Sequence, residues 1–78
     1  EAAVGDLTRV LEEGRSRLDT ATVRVIEESL RKIDLAIAEA RAALQRDPAS
    51  GYLNQQIAAH LRRKLALLRL AADAIART

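Results

Sequence analysis

The ten residues LQRDPASGYL, positions 44 to 53, decide the fold that we expect for this chain. They contain its only proline, Pro48. A residue that precedes proline is driven out of the helical region of backbone conformation, so a helix that reaches Arg46 should end at Asp47. The hydroxyl of Ser50 can cap the next helix. The stretch therefore predicts a turn of a few residues between two helices, which must then lie antiparallel.

On both sides of this turn the chain favours helix. Residues 19–47 and 52–78 contain no glycine or proline and are rich in Ala, Leu and Arg, which are strong helix formers. We predict helices over about 19–46, capped by Asp19, and over about 51–76. In the first helix the apolar residues follow a 3-4-3-4 spacing, which is typical of coiled-coil packing and differs from the alternation of a strand: Val23, Ile26, Leu30, Ile33, Ile37, Ala40 and Leu44.

The second helix has a matching apolar face: Leu53, Ile57, Leu61, Leu68, Ala71 and Ile75. Folding the chain near residue 49 places the two sets beside each other, apolar against apolar, and we call them together the seam. Leu44 then lies beside Leu53, and Val23 beside Ile75. The predicted fold class is all-α, a long antiparallel helical hairpin with coiled-coil-like packing.

A short N-terminal helix should precede the hairpin. We predict it over about 6–13, with Asp6 as its cap and Gly14 at its end. The chain then divides into residues 1–17, the short helix and a linker, and residues 18–78, the hairpin. The sequence leaves open whether this helix folds back on the hairpin or extends away from it.

The composition argues against most kinds of chemistry. The chain has 78 residues, which make one small domain or a piece of a larger protein, and it contains no cysteine for disulfides, thiolate metal sites or cysteine catalysis. Its one histidine, His60, has no acidic residue one helical turn away to share a metal. We expect no catalytic residue, no cofactor, no metal site and no enzymatic activity. No apolar run approaches the roughly 18 residues of a membrane span, so no transmembrane segment is predicted.

Small and apolar residues form two further stripes beside the seam. A lone pair of helices would leave them exposed and would be marginally stable. The N-terminal helix, a second copy of the chain, or both could cover them. We therefore expect a protein–protein interaction or self-assembly module whose partner is the chain itself, as a dimer or higher assembly, or another protein. The candidate interface residues are Val4, Leu7 and Leu11 near the N-terminus, Val25, Ser29, Ala36 and Ala43 in the first long helix, and Leu67, Leu70 and Ala74 in the second.

Lys64 is the one charged residue within the apolar face of the second helix. A half-buried lysine can act as a base or nucleophile. Its aliphatic stem can equally pack in the seam while the ammonium reaches Asp34 on the opposite helix. A polar residue at one core position also fixes the register of a coiled coil. We favour the second interpretation, an ion pair that sets register. Tyr52, the only aromatic residue, should cover the turn end of the hairpin.

The second helix is basic, and this supports an alternative function. Residues 48–78 contain five basic residues and one acidic residue, Asp73. A basic helical module could bind nucleic acid or an anionic membrane surface. However, Arg62 and Arg69 share a helix face that Arg63 and Lys64 do not. No aromatic residue is placed to stack on a base, so the pattern argues against nucleic acid as a partner.

Two parts of the sequence are similar to a known family. Residues 18–23 (LDTATV) and 33–48 (IDLAIAEARAALQRDP) form the first part, and residues 52–54 (YLN) with 61–68 (LRRKLALL) form the second. Together, over about residues 18–72, they resemble the C-terminal extracytoplasmic helical region of bacterial transmembrane anti-sigma factors of the zinc-finger type. The resemblance implies a domain on the periplasmic side of a membrane that senses or binds a partner. The family's His-Cys-Cys zinc motif and membrane helix are not in this sequence, so no zinc ligand is carried over.

Overall fold

The structure, a computed structural model, describes residues 2–77, and almost all of them are helical. Helix α1 spans Ala2–Gly14 and is followed by a single 3-10 turn, Arg15–Arg17. Helix α2 spans Thr20–Arg46 and helix α3 spans Gly51–Arg77. No strand occurs in the described range. The all-α hairpin is confirmed, and the ends of its two long helices lie within one residue of the predicted positions.

The ends of the long helices are set by the residues that the sequence indicates. The carboxylate of Asp19 accepts a hydrogen bond from the backbone N–H of Thr22 at 2.7 Å, which satisfies one of the free donors at the start of α2. The hydroxyl of Ser50 does the same for the backbone N–H of Leu53 at the start of α3, at 3.1 Å. Only four residues separate α2 from α3, and the two helices pack antiparallel.

The N-terminal helix is longer than predicted. It begins at Ala2 rather than near residue 6, and Asp6 lies inside it instead of capping it. Gly5, just before the predicted start, lies within the helix and does not interrupt it. A helical glycine is disfavoured by about 1 kcal/mol relative to alanine, and Ala2 and Ala3 are strong helix formers that offset it. Val4 also packs against the core, which rewards helix formation at this end.

Helix α1 folds back along the hairpin, which resolves the choice that the sequence left open. Its C-terminal end, at Gly14, contacts Ile75, and its N-terminal end, at Val4, lies near Leu61 and Lys64. It therefore runs parallel to α3 and antiparallel to α2. An ion pair of 3.0 Å between Arg15 and Glu27 connects the turn after α1 to α2.

The core lies in the half of the hairpin that α1 covers. Its central cluster draws residues from all three helices: Leu11, Ile26, Leu68, Ala71 and Ile75. Leu68 has no exposed surface. Nearer to the turn, where α1 no longer reaches, the seam consists of two helices alone. The seam residues there are half-buried: Ala40, Leu44, Leu53 and Ile57.

Candidate protein-interaction surfaces

Helix α1 covers only one side of the hairpin. On α2 that side carries Glu27, which pairs with Arg15, and Asp34, which lines a groove together with Val4. Ser29 and Ala36 each follow one of these acidic residues by two positions, which places them about 160° around the helix. The small-residue stripe of α2 therefore lies on the side of the hairpin away from α1.

The apolar stripe of α3 lies on that same side. A step of three residues along α2 leads from the seam residues Ile26 and Ile33 to Ser29 and Ala36. The same step along α3 leads from Ala71 to Ala74, and from Lys64 to Leu67. The helices of an antiparallel pair are related by a local twofold axis, so equal steps reach the same side. We call this side the open face: Val25, Ser29, Ala36 and Ala43 of α2 with Leu67, Leu70 and Ala74 of α3.

The open face is apolar and uncovered. Val25 is 66% exposed and Leu70 is 64% exposed, which is high for aliphatic side chains of this size. The other members of the face are half-buried against the hairpin itself. No helix within residues 2–77 lies over them.

The remaining candidate interface residues are used within the chain. Leu11 is buried in the core, with 5% of its surface exposed. Val4 and Leu7 are half-buried and pack against the same core cluster. These three residues hold α1 on the hairpin, and Leu11 offers no surface to another molecule.

Lys64 and Asp34 are in direct contact. The ammonium nitrogen Nζ of Lys64 lies 2.6 Å from Oδ1 of Asp34, joining α3 to α2. The lysine side chain is 20% exposed and the aspartate side chain is 50% exposed, so the pair lies at the edge of the seam. The amine is thus held by a carboxylate. The contact also shows that residues 34 and 64 lie at the same level of the two helices.

A groove adjoins this ion pair at the N-terminal end of α1. It has a volume of about 370 Å³ and is lined by both members of the pair together with Val4, Ile37, Ala38, Arg41 and Leu61. It marks the place where the three-helix part of the molecule gives way to the bare hairpin. No sequence motif predicts this groove, but helix length signals it, because a helix of 13 residues cannot cover the length of one of 27.

Other residues that could carry chemistry are scattered. Nδ1 of His60 is buried without a hydrogen-bond partner among the described residues. Over the same residues no group of three or more His, Cys, Asp or Glu side chains could hold a metal ion.

The backbone N–H of Thr22 donates a hydrogen bond to the carboxylate of Asp19, the helix cap, and lowers its pKa. In the described chain no helix combines the length and apolar character that a membrane span needs.

The basic side chains of α3 do not form one stripe. Arg62 and Arg69 are exposed on a face that looks away from the open face, and Arg63 lies about 100° from Arg62. Lys64 forms an ion pair with Asp34.

That Tyr52 covers the turn end of the hairpin stays a prediction. Its ring is 69% exposed. The position of Tyr52 on α3 explains this exposure. Tyr52 lies about 100° around the helix from the seam residue Leu53 and is therefore directed away from the seam.

Comparisons of the chain with protein-family models, with curated proteins and with solved structures find no match.

Proposed function

We propose that this chain is a non-enzymatic protein–protein interaction module that self-associates through its open face. The observation that carries the proposal is the position of that face. The fold uses α1 to bury one side of the hairpin and leaves an apolar stripe on the other, with Val25 and Leu70 each about two-thirds exposed. Exposed apolar side chains that share one face, rather than lying scattered singly, mark an interaction site in small proteins.

The size of this side of the hairpin suits a stable interface. Two helices of 27 residues each, about 40 Å long and 10 Å wide, outline roughly 800 Å² on one side, polar and apolar positions together. This is about the area that each partner contributes to an interface of standard size. The small residues Ser29, Ala36 and Ala43 would let a second helix approach α2 closely.

The non-enzymatic part of the proposal rests on the residues that could react. The seam lysine, Lys64, is held by Asp34 at 2.6 Å. Among the described residues, His60 has no acidic or hydroxyl side chain within hydrogen-bonding distance of its buried Nδ1. Neither arrangement provides the paired nucleophile and base that covalent or acid–base catalysis uses.

The resemblance in residues 18–72 supports a narrower form of the proposal. In that form the module is the sensor-side domain of a membrane protein similar to an anti-sigma factor, and it works outside the cytoplasm. This form rests on sequence alone. The sequence of the gene tests this narrower form directly. The narrower form predicts that a membrane span and a cysteine-containing segment are encoded upstream of Glu1.

Glutamate substitutions on different faces test the role of the open face. Val25→Glu and Leu70→Glu each place a charge on this face, whereas Leu35→Glu places one on the outer side of α2. Leu35 is the matched control, because it is 60% exposed and aliphatic like Val25 and Leu70. We expect the wild type and Leu35→Glu to have the mass of a dimer or larger assembly by light scattering. The two open-face variants should be folded monomers with unchanged helix content.

Equal masses for all four proteins would contradict the proposal. If all four were monomers, self-association itself would be wrong. If all four were assemblies, the open face would be the wrong surface.

A further inference from the structure

We propose that the second copy docks on the open face with the twofold axis parallel to the helices, so that α2 of each copy lies on α3 of the other. This inference rests on the proposed function and adds the arrangement of the partner. It follows from the side chains on the two halves of the open face, one half on α2 and the other on α3. Those halves differ in side-chain size and in charge, so the two possible ways of stacking the face on itself are unequal.

Two identical hairpins can stack face to face in two closed ways. With the axis parallel to the helices, α2 of one copy lies over α3 of the other, and the two run antiparallel. With the axis across the helices, α2 lies over α2 and α3 over α3. Both arrangements close as dimers, because each surface patch meets its own symmetry mate.

Side-chain size favours the first arrangement. The α2 half of the face is lined mainly by small residues, Ser29, Ala36 and Ala43, whereas the α3 half carries the larger Leu67 and Leu70. Large side chains of one helix pack best between small ones of its neighbour. Stacking α2 on α2 would set small residues against small ones and leave gaps. Stacking α3 on α3 would crowd the leucines.

Charge favours the same arrangement. Arg63 lies one turn before Leu67, and Arg77 lies one turn after Ala74, so two positive charges flank the α3 half of the open face. Both arginines are exposed. The one acidic residue of α3, Asp73, lies about 100° around the helix from Ala74, toward its outer side. Stacking α3 on α3 would bring the like charges of the arginines together, which is unfavourable. Against α2, Arg63 would instead meet a helix edge that carries both signs, Lys32 and Glu39.

The Lys64–Asp34 contact fixes which residues would meet. Because residue 34 of α2 contacts residue 64 of α3, a residue of α2 and a residue of α3 lie at the same level along the hairpin when their numbers sum to about 98. An axis parallel to the helices preserves these levels. Val25 of one copy should therefore lie close to Ala74 of the other, whereas the two copies of Val25 should lie on opposite edges of the dimer.

Single-cysteine crosslinking tests this arrangement, because the natural sequence has no cysteine. Val25→Cys and Ala74→Cys are made in separate chains of different length, mixed, and oxidised. We expect the mixed 25–74 disulfide as the major product, with little 25–25 or 74–74 product. Leu35→Cys mixed with Ala74→Cys is the control and should give no dimer band above background.

The outcomes separate this inference from the proposed function. A major 25–25 or 74–74 product, or dimers by sedimentation that lack the 25–74 disulfide, would overturn the arrangement and leave self-association standing. Monomers by sedimentation, with no crosslink in any mixture, would overturn both. Melting temperatures of the reduced variants within a few degrees of the wild type show that the cysteines have not altered the fold.

Discussion

Gly14 lies directly against Ile75, and a Cβ atom at position 14 would sit 2.6 Å from Cγ2 of that isoleucine. The glycine is buried, and its φ of −104° is open to any residue, so backbone conformation does not explain it. Its missing side chain is what lets the end of α1 approach α3. The way in which α1 covers one side of the hairpin depends on this contact.

We expect Gly14→Ala to destabilise the protein by about 1–3 kcal/mol, the usual effect of adding a methyl group to a packed core. The new Cβ would also lie 2.9 Å from Cδ1 of Ile75. Ile75 is 5% exposed and branched at its own Cβ, so it has little room to move. Denaturant unfolding followed by circular dichroism measures the change.

Gly5→Ala is the matched control for that substitution, because it makes the same change in the same helix. Position 5 is exposed, and no atom of residues 2–77 lies within 4 Å of an added Cβ. Here the higher helix propensity of alanine should stabilise the protein, by about 0.5–1 kcal/mol. Stabilisation by both substitutions would show that α1 does not dock on Ile75.

The Lys64–Asp34 pair should contribute modestly to stability, because the aspartate is half exposed to water. A double-mutant cycle with Lys64→Met and Asp34→Ala should give a coupling energy of at most about 1 kcal/mol. Methionine keeps the aliphatic stem of the lysine in the seam, so Lys64→Met alone should be nearly neutral. A coupling of several kcal/mol would mean that the pair is far more desolvated than its exposure indicates.

The Asp19 cap should make stability depend on pH at the acid end. The hydrogen bond from Thr22 lowers the pKa of Asp19 in the folded protein. The stabilisation is therefore complete above the pKa of the unfolded chain and is lost as the pH falls through the folded pKa. Asp19→Asn keeps an acceptor but does not titrate.

Between about pH 5 and pH 2 the melting temperature of the wild type should therefore fall further than that of Asp19→Asn. Thermal melts at a series of pH values measure both. Parallel curves for the two proteins would show that the Asp19 carboxylate does not cap α2.

The basic residues of α3 should not be needed for self-association. Arg62→Glu with Arg69→Glu reverses two exposed charges that look away from the open face. We expect the assembly mass to be unchanged and the wild type not to retain duplex DNA at physiological salt. Binding that falls steeply with salt and is abolished by the double reversal would support the alternative, a nucleic-acid-binding module.

Much of the fold could be read from the sequence because local signals agree with one another. Pro48 and the caps Asp19 and Ser50 fix where the long helices begin and end. The 3-4-3-4 spacing of apolar residues fixes which faces meet. Each of these effects acts over a few residues, so a single sequence is enough to reveal it.

The placement of α1 could not be read in the same way, because it depends on contacts between residues far apart in the chain. Nothing near Gly14 in the sequence indicates that Ile75 will occupy the space beside it. Helix α1 starts earlier than the sequence predicts for a related reason, since packing of Val4 on the core adds to the local helix propensity. The position of the open face can be deduced only when it is known which side of the hairpin α1 covers.

Sedimentation equilibrium of the unmodified chain, from micromolar to millimolar concentration, tests the central claim most directly. With a monomer mass of 8.5 kDa, we predict a mass that rises with concentration to twice that value or more. A single species of 8.5 kDa at every concentration, with full helix content, would show that the open face stays exposed to water and would contradict the claim.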